Sequence, residues 1–154
     1  LFVDASSAFY QTFIGEAVGA YVSTDILAEL CQVRGIDQTS LAAWCADPMY
    51  AEGLRRAIEF LAPLNVPIEI TENGVADAED TLRTEHLRRH LWVLSNAVKD
   101  GHDVRSYHHW SLMDNFEWAE GYSMRFGLHR VDFESQERTL RPSGEVYKAI
   151  VGRR

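Results

Sequence analysis

The sequence predicts an α/β fold built on parallel strands. Two observations carry that expectation: short strand-like runs at 68–72 and 104–110, and helical periodicity before, between and after them. Helix–strand–helix–strand–helix is the rhythm of strands joined by helical crossovers.

The elements follow in order. Phe9, Phe13, Ala17 and Tyr21 recur every four positions, giving one apolar helical stripe. Ile26, Leu27, Leu30 and Val33 make a second, with Thr24 able to cap its start and Gly35 to close its end. Asp47-Pro48 reads as a cap followed by a proline at the first helical position, and Tyr50, Leu54, Ile58 and Leu61 continue that helix until Pro63. Residues 1–47 therefore form a helix-rich segment, and 48–154 a run of strand–helix units. Asn65-Val66-Pro67 is a turn, and Ile68-Glu69-Ile70-Thr71-Glu72 is a strand closed by Asn73-Gly74. Leu87, Leu91, Leu94 and Val98 mark an amphipathic helix, with Lys99 in its last turn and Gly101 just beyond. Val104 to Trp110 is the second strand. An irregular aromatic-rich stretch follows, with a short strand at Val131-Asp132-Phe133. Pro142 begins a last helix whose Val146, Tyr147 and Ile150 face inward.

Composition narrows the functional classes. At 154 residues the chain suits one domain able to bury roughly two-thirds of its unfolded surface. Its formal net charge is −8, and no Lys/Arg cluster exceeds pairs such as Arg88-Arg89, which speaks against nucleic acid as a partner. No run approaches the roughly 18 apolar residues of a membrane span. The opening Leu1-Phe2-Val3-Asp4 has no basic region, so no signal peptide is read and the cytoplasm is the default location. Cys31 and Cys45 sit among apolar residues without metal-type spacing and read as buried free thiols. His86 and His90, four apart, read as a solvated helix face rather than half a metal site. His108 and His109 alternate across a strand and cannot face one metal together. Neither a metal nor a cofactor is expected.

The chemistry concentrates at the strand ends. Glu72 ends the first strand where the chain turns into a loop, the place where α/β folds put reacting groups. Trp110 ends the second, and Asp114, Glu117, Trp118 and Glu120 follow closely. An aromatic ring beside carboxylates suits a sugar, whose CH faces stack on the ring while its hydroxyls donate to carboxylate oxygens. Taken alone, a Glu before Asn-Gly is more often a solvated turn residue, and each Trp a packing residue; their combination is what shifts the reading.

Ile70-Thr71-Glu72-Asn73-Gly74 resembles the nucleophile motif of glycoside hydrolase family 1, the β-glucosidase family. The stretch Trp110-Ser111-Leu112-Met113-Asp114-Asn115-Phe116-Glu117-Trp118-Ala119-Glu120-Gly121-Tyr122 resembles its glycone-binding segment. Tyr50-Ala51-Glu52-Gly53-Leu54, Arg125-Phe126-Gly127 and Arg141-Pro142-Ser143 also fit, and the likeness runs from about residue 48 to the end. The resemblance implies a partial TIM (β/α)8 barrel, about half of one, and a retaining β-glycosidase acting on terminal β-glycosides. It implies Glu72 as nucleophile, Glu117 as acceptor of sugar hydroxyls, Trp118 as an indole donor, Trp110 as stacking floor and Phe126 as lining of the same pocket.

The sequence also departs from that pattern. Retaining glycosidases use two carboxyl groups about 5–5.5 Å apart, and the family's proton donor lies in an Asn-Glu-Pro motif that this sequence lacks. The Asn-Tyr-Tyr segment that precedes the matched region in the family is also missing, and residues 1–47 show no likeness to it. A complete barrel takes ~250 residues, so the expected partners are a β-glycoside and either a second copy or a complementary N-terminal half. The competing reading is a non-catalytic sugar-binding or scaffold half-barrel.

Overall fold

The computed structural model describes residues 2–6 and 49–152. Strand β1 spans Phe2–Ser6. Helix α1, Ala51–Leu61, runs through a 3-10 turn at Ala62–Leu64 into β2, Ile68–Gly74. Helix α2 covers Arg83–Lys99 and β3 covers Val104–His109. A hairpin of β4, His129–Val131, and β5, Arg138–Leu140, precedes helix α3, Pro142–Val151.

The strands β1, β2 and β3 are neighbours in that order and both pairings are parallel. Helices α1 and α2 share one core with β2: Leu54, Ile58, Phe60 and Leu61 meet Ile68, Ile70, Leu94 and Ala97. Strands that neighbour one another in chain order, with α1 and α2 packed together against β2, are the local pattern of parallel strands joined by helical crossovers.

Local chemistry accounts for the boundaries. In α1 the stripe Leu54, Ile58 and Leu61 is buried as expected. Pro63 lacks an N–H and stands within the tightened last turn, and Asn65 closes it in the left-handed region at φ 53°. Pro142 occupies the first turn of α3, where its missing donor is harmless. Among the described residues no helix is long and apolar enough to cross a membrane.

Several expectations require correction. Residues 2–6 form a parallel strand, not helix. Five residues are too few to show a period, and such a strand exists because β2 offers it a pairing edge. The helices expected between 9 and 35, both cysteines and the Asp47-Pro48 cap lie outside the described residues. On α2 the buried face is Arg83, His86, Leu87, His90, Val93, Leu94 and Ala97, while Val98 is 48% exposed. His86 and His90 are thus not solvated: they are 0% and 4% exposed and stack with centroids 4.0 Å apart. A neutral imidazole packs as a flat ring, and burial, helped by the positive charge of neighbouring His90, His109 and Arg83, pushes His86 down to about 2. Ile150 is exposed, because the buried part of α3 is its first turn at Ser143 and Gly144. The strand expected at 131–133 ends at Val131, where the Asp132 carboxylate accepts the N–H groups of Glu134 and Ser135 and turns the chain.

Candidate active site

The end of β2 departs from regular pairing. Ile70 pairs with Tyr107 and Asn73 with His109, so β2 holds one more residue than β3 between those two positions. The extra residue makes a β-bulge at Thr71-Glu72, a device that re-aims a side chain at a strand end. Ile70 and Asn73 on either side are buried at 0% and 1%, whereas Thr71 and Glu72 are half-buried.

Asn73 is held from two directions. The Tyr107 hydroxyl donates to its Oδ1 at 2.8 Å, and its carbonyl accepts the Trp110 N–H at 3.0 Å. Gly74 follows because the neighbouring chain is so close: a Cβ there would lie 1.7 Å from the Trp110 carbonyl oxygen. The sequence around Glu72 is therefore joined directly to the residue that begins the aromatic loop.

Within that loop the Trp110 indole Nε1 donates to Glu117 Oε1 at 3.2 Å. Glu117 is 5% exposed, and burial raises its carboxyl above the ordinary range although hydrogen bonds from Trp110 and Asn115 favour the charged form. Trp118, next in sequence, is 67% exposed and sits in the left-handed region at φ 47°, a conformation that is costly for a bulky residue. The structure thus brings Trp110 and Glu117 into contact and leaves the Trp118 ring open. Phe126 is buried at 1%, and its carbonyl accepts the Ser111 N–H at 3.3 Å. Asp114 is a strut rather than a free carboxylate. It accepts from Gly127 N at 2.9 Å, Val131 N at 3.3 Å and Arg141 Nη2 at 3.0 Å, with Arg125 at 3.7 Å.

Sequence reasoning passed over the residues that fix these loops. Burial opposes ionisation of Asp77, but the N–H groups of Leu82, Arg83 and Thr81 outweigh it and hold its carboxyl below the usual range. The fully buried Arg83 pairs with Asp80 and donates to the carbonyls of Asp77 at 2.6 Å and Arg125 at 2.8 Å. Asp80 in turn accepts the Ser143 N–H at 2.9 Å and hydroxyl at 2.6 Å, and Arg141 Nη1 donates to the Ala78 carbonyl at 2.6 Å. This network links the loop after β2, the loop after β3 and the start of α3. The available signal was Asp77 and Asp80 ahead of a helix that carries Arg83 in its first turn. Among the described residues no group of His, Cys, Asp or Glu is arranged to hold a metal ion.

Comparison with known proteins extends this picture. Residues 16–154 match the profile of glycosyl hydrolase family 1, so the likeness begins at residue 16 and not at about 48, where the motifs become readable in the sequence. The β-galactosidase of Saccharolobus solfataricus is 49% identical over 147 residues, covering 92% of this chain and 29% of that enzyme. The bifunctional β-D-glucosidase/β-D-fucosidase of Bifidobacterium breve is 50% identical over 84 residues, 54% of this chain and 18% of that enzyme. The crystal structure of the hyperthermophilic β-glucosidase from Pyrococcus furiosus superposes on 68% of this chain with a TM-score of 0.66 and 51% identity, covering 22% of that structure. The chain spans less than a third of the length of each of these relatives.

Proposed function

This chain belongs to glycosyl hydrolase family 1, and on that premise we propose that it is the nucleophile-bearing half of a retaining β-glycosidase barrel. In this reading the Glu72 carboxylate attacks the anomeric carbon of a terminal β-D-glycoside. The bond to the aglycone oxygen breaks, and a covalent glycosyl ester forms. The leaving oxygen takes its proton from an acid supplied from outside these 154 residues, which hold no Asn-Glu-Pro donor motif. Water then cleaves the ester. Trp110 forms the floor under the sugar ring, Glu117 accepts hydroxyl protons, Trp118 donates its indole N–H and Phe126 backs the pocket. A buried carboxylate at Glu117 favours neutral hydroxyls and disfavours anionic substituents.

One observation carries the proposal: Glu72 stands on a bulge whose next residue bonds Trp110, and Trp110 bonds Glu117. Completion by another half is supported by the apolar side chains left open on the aromatic loop, Leu112 at 61%, Phe116 at 53%, Trp118 at 67% and Tyr122 at 53%.

The test is covalent trapping with a dinitrophenyl 2-deoxy-2-fluoro-β-glucoside, whose leaving group needs no acid. It is run on the chain alone and on the chain co-expressed with the unmatched part of the Saccharolobus relative. Mass spectrometry is expected to find the sugar on the Glu72 peptide in at least one arm, and nothing in Glu72→Gln. Absence of adduct in both arms overturns the proposal, and sugar binding without adduct would favour the non-catalytic reading.

A further inference from the structure

The bulge at Thr71-Glu72 is a weak point in the register. The ladder also steps by one residue between Ile68 and Glu69, so Glu69 and Ile70 are out of step with the pairing on either side; drawing them back into step would remove the bulge and re-aim the side chains on it. Whatever pins both sides of the bulge therefore decides where the Glu72 carboxylate points. On the near side Ile70 pairs with Tyr107 in the ladder. On the far side Asn73 takes the hydrogen bond from the hydroxyl of that same tyrosine, at 2.8 Å. The Trp110 N–H on the Asn73 carbonyl adds a backbone anchor, and Gly74 lies so close to Trp110 that a Cβ there would overlap its carbonyl oxygen.

We infer that Tyr107 is a positioning residue for the Glu72 carboxylate: its backbone and its hydroxyl bridge the two sides of the bulge and hold the nucleophile in line with the sugar. The inference rests on the reading of Glu72 as nucleophile and adds a residue outside the sugar-contacting set. Tyr107 also packs against the helix-side core and lies 6.5 Å, centroid to centroid, from Tyr147, so its ring has a structural duty that is separable from its oxygen. Burial pushes the pKa of the phenol well above its ordinary value, which keeps the hydroxyl protonated and able to donate.

The separating variant is Tyr107→Phe, which keeps the ring and removes only the donor. Trapping kinetics on Glu72, in whichever arm labels the wild type, give a maximum rate for the covalent step and a half-saturating inactivator concentration. The expected result is a maximum rate about ten-fold lower, with half-saturation changed by less than about two-fold, because misaim affects the attack more than sugar binding. Asn73→Ala should lower the rate similarly, and the double variant should be no slower than the slower single one, since both remove one bond. Circular dichroism melting establishes that each variant is folded. An unchanged maximum rate in folded Tyr107→Phe, a parallel rise in half-saturation, or additive losses in the double variant would overturn the inference while leaving Glu72 as nucleophile. Failure of the wild type to label would instead remove the reading on which it stands.

Discussion

Behind the sheet, Phe60, Ile58 and Ile70 are sealed at 1%, 0% and 0% exposure by other apolar side chains. At the rim, Arg83, Asp114 and Ser143 are sealed at 0%, 2% and 0%, but by ion pairs and hydrogen bonds. Apolar burial is proportional to area and carries little direction, so the rear can fix the distance between helix and sheet without fixing a loop's aim. The rim bonds are directional and distant in sequence. Arg83 reaches Arg125 across 42 positions, and Ser143 reaches Asp80 across 63. The loops after β2 and β3 therefore acquire their relative placement from charge-assisted contacts. Stability and site geometry reside in different chemistry.

That division can be broken most severely at Arg83. Arg83→Met would leave Asp80 without its buried cation, a loss of about 3–5 kcal/mol in unfolding free energy. It should also abolish Glu72 trapping at temperatures where circular dichroism still reports folded protein. Phe60→Ala should lower unfolding free energy by a similar ~3–5 kcal/mol through cavity formation, yet leave the trapping rate of the folded fraction unchanged. Equal damage to trapping from both variants would erase the distinction between rear and rim.

A smaller effect sharpens it through pH. His86 is held near 2 by burial first and by neighbouring positive charge second, and His109 near 4 by burial and by Arg83, against the carbonyls of Phe126 and Asn73. Both folded values lie below the unfolded value of about 6.5. The unfolded state therefore binds more protons below that pH. Stability from these rings is fully present above it and is lost as pH falls toward 4 and then 2. Urea unfolding of His86→Phe between pH 7 and 4 should show a shallower fall in midpoint than the wild type; equal slopes would mean that His86 is not held neutral by the fold.

Much of this was legible in the residues. Ile68 and Ile70, the Leu87 and Leu94 stripe, and Pro142 marked β2, α2 and α3 through period and punctuation, which are local properties. The Ile70–Gly74 and Trp110–Tyr122 motifs marked the candidate site through their resemblance to family segments. What went unread was nonlocal. A five-residue β1 has no period of its own, and His86 and His90 looked solvent-facing because their burial depends on what covers them. Asp114 looked like another sugar carboxylate until Arg141, distant in sequence, occupied it.

The chain alone thus determined its parallel α/β character, its family likeness and the identity of Glu72, Trp110 and Glu117 as the group to examine. Only the folded structure decided that Glu72 rides on a bulge, that Tyr107 spans it, and that buried arginines hold the loops. A strand's register and a buried charge's partner are relations between segments far apart in sequence, and no residue carries them until the segments meet.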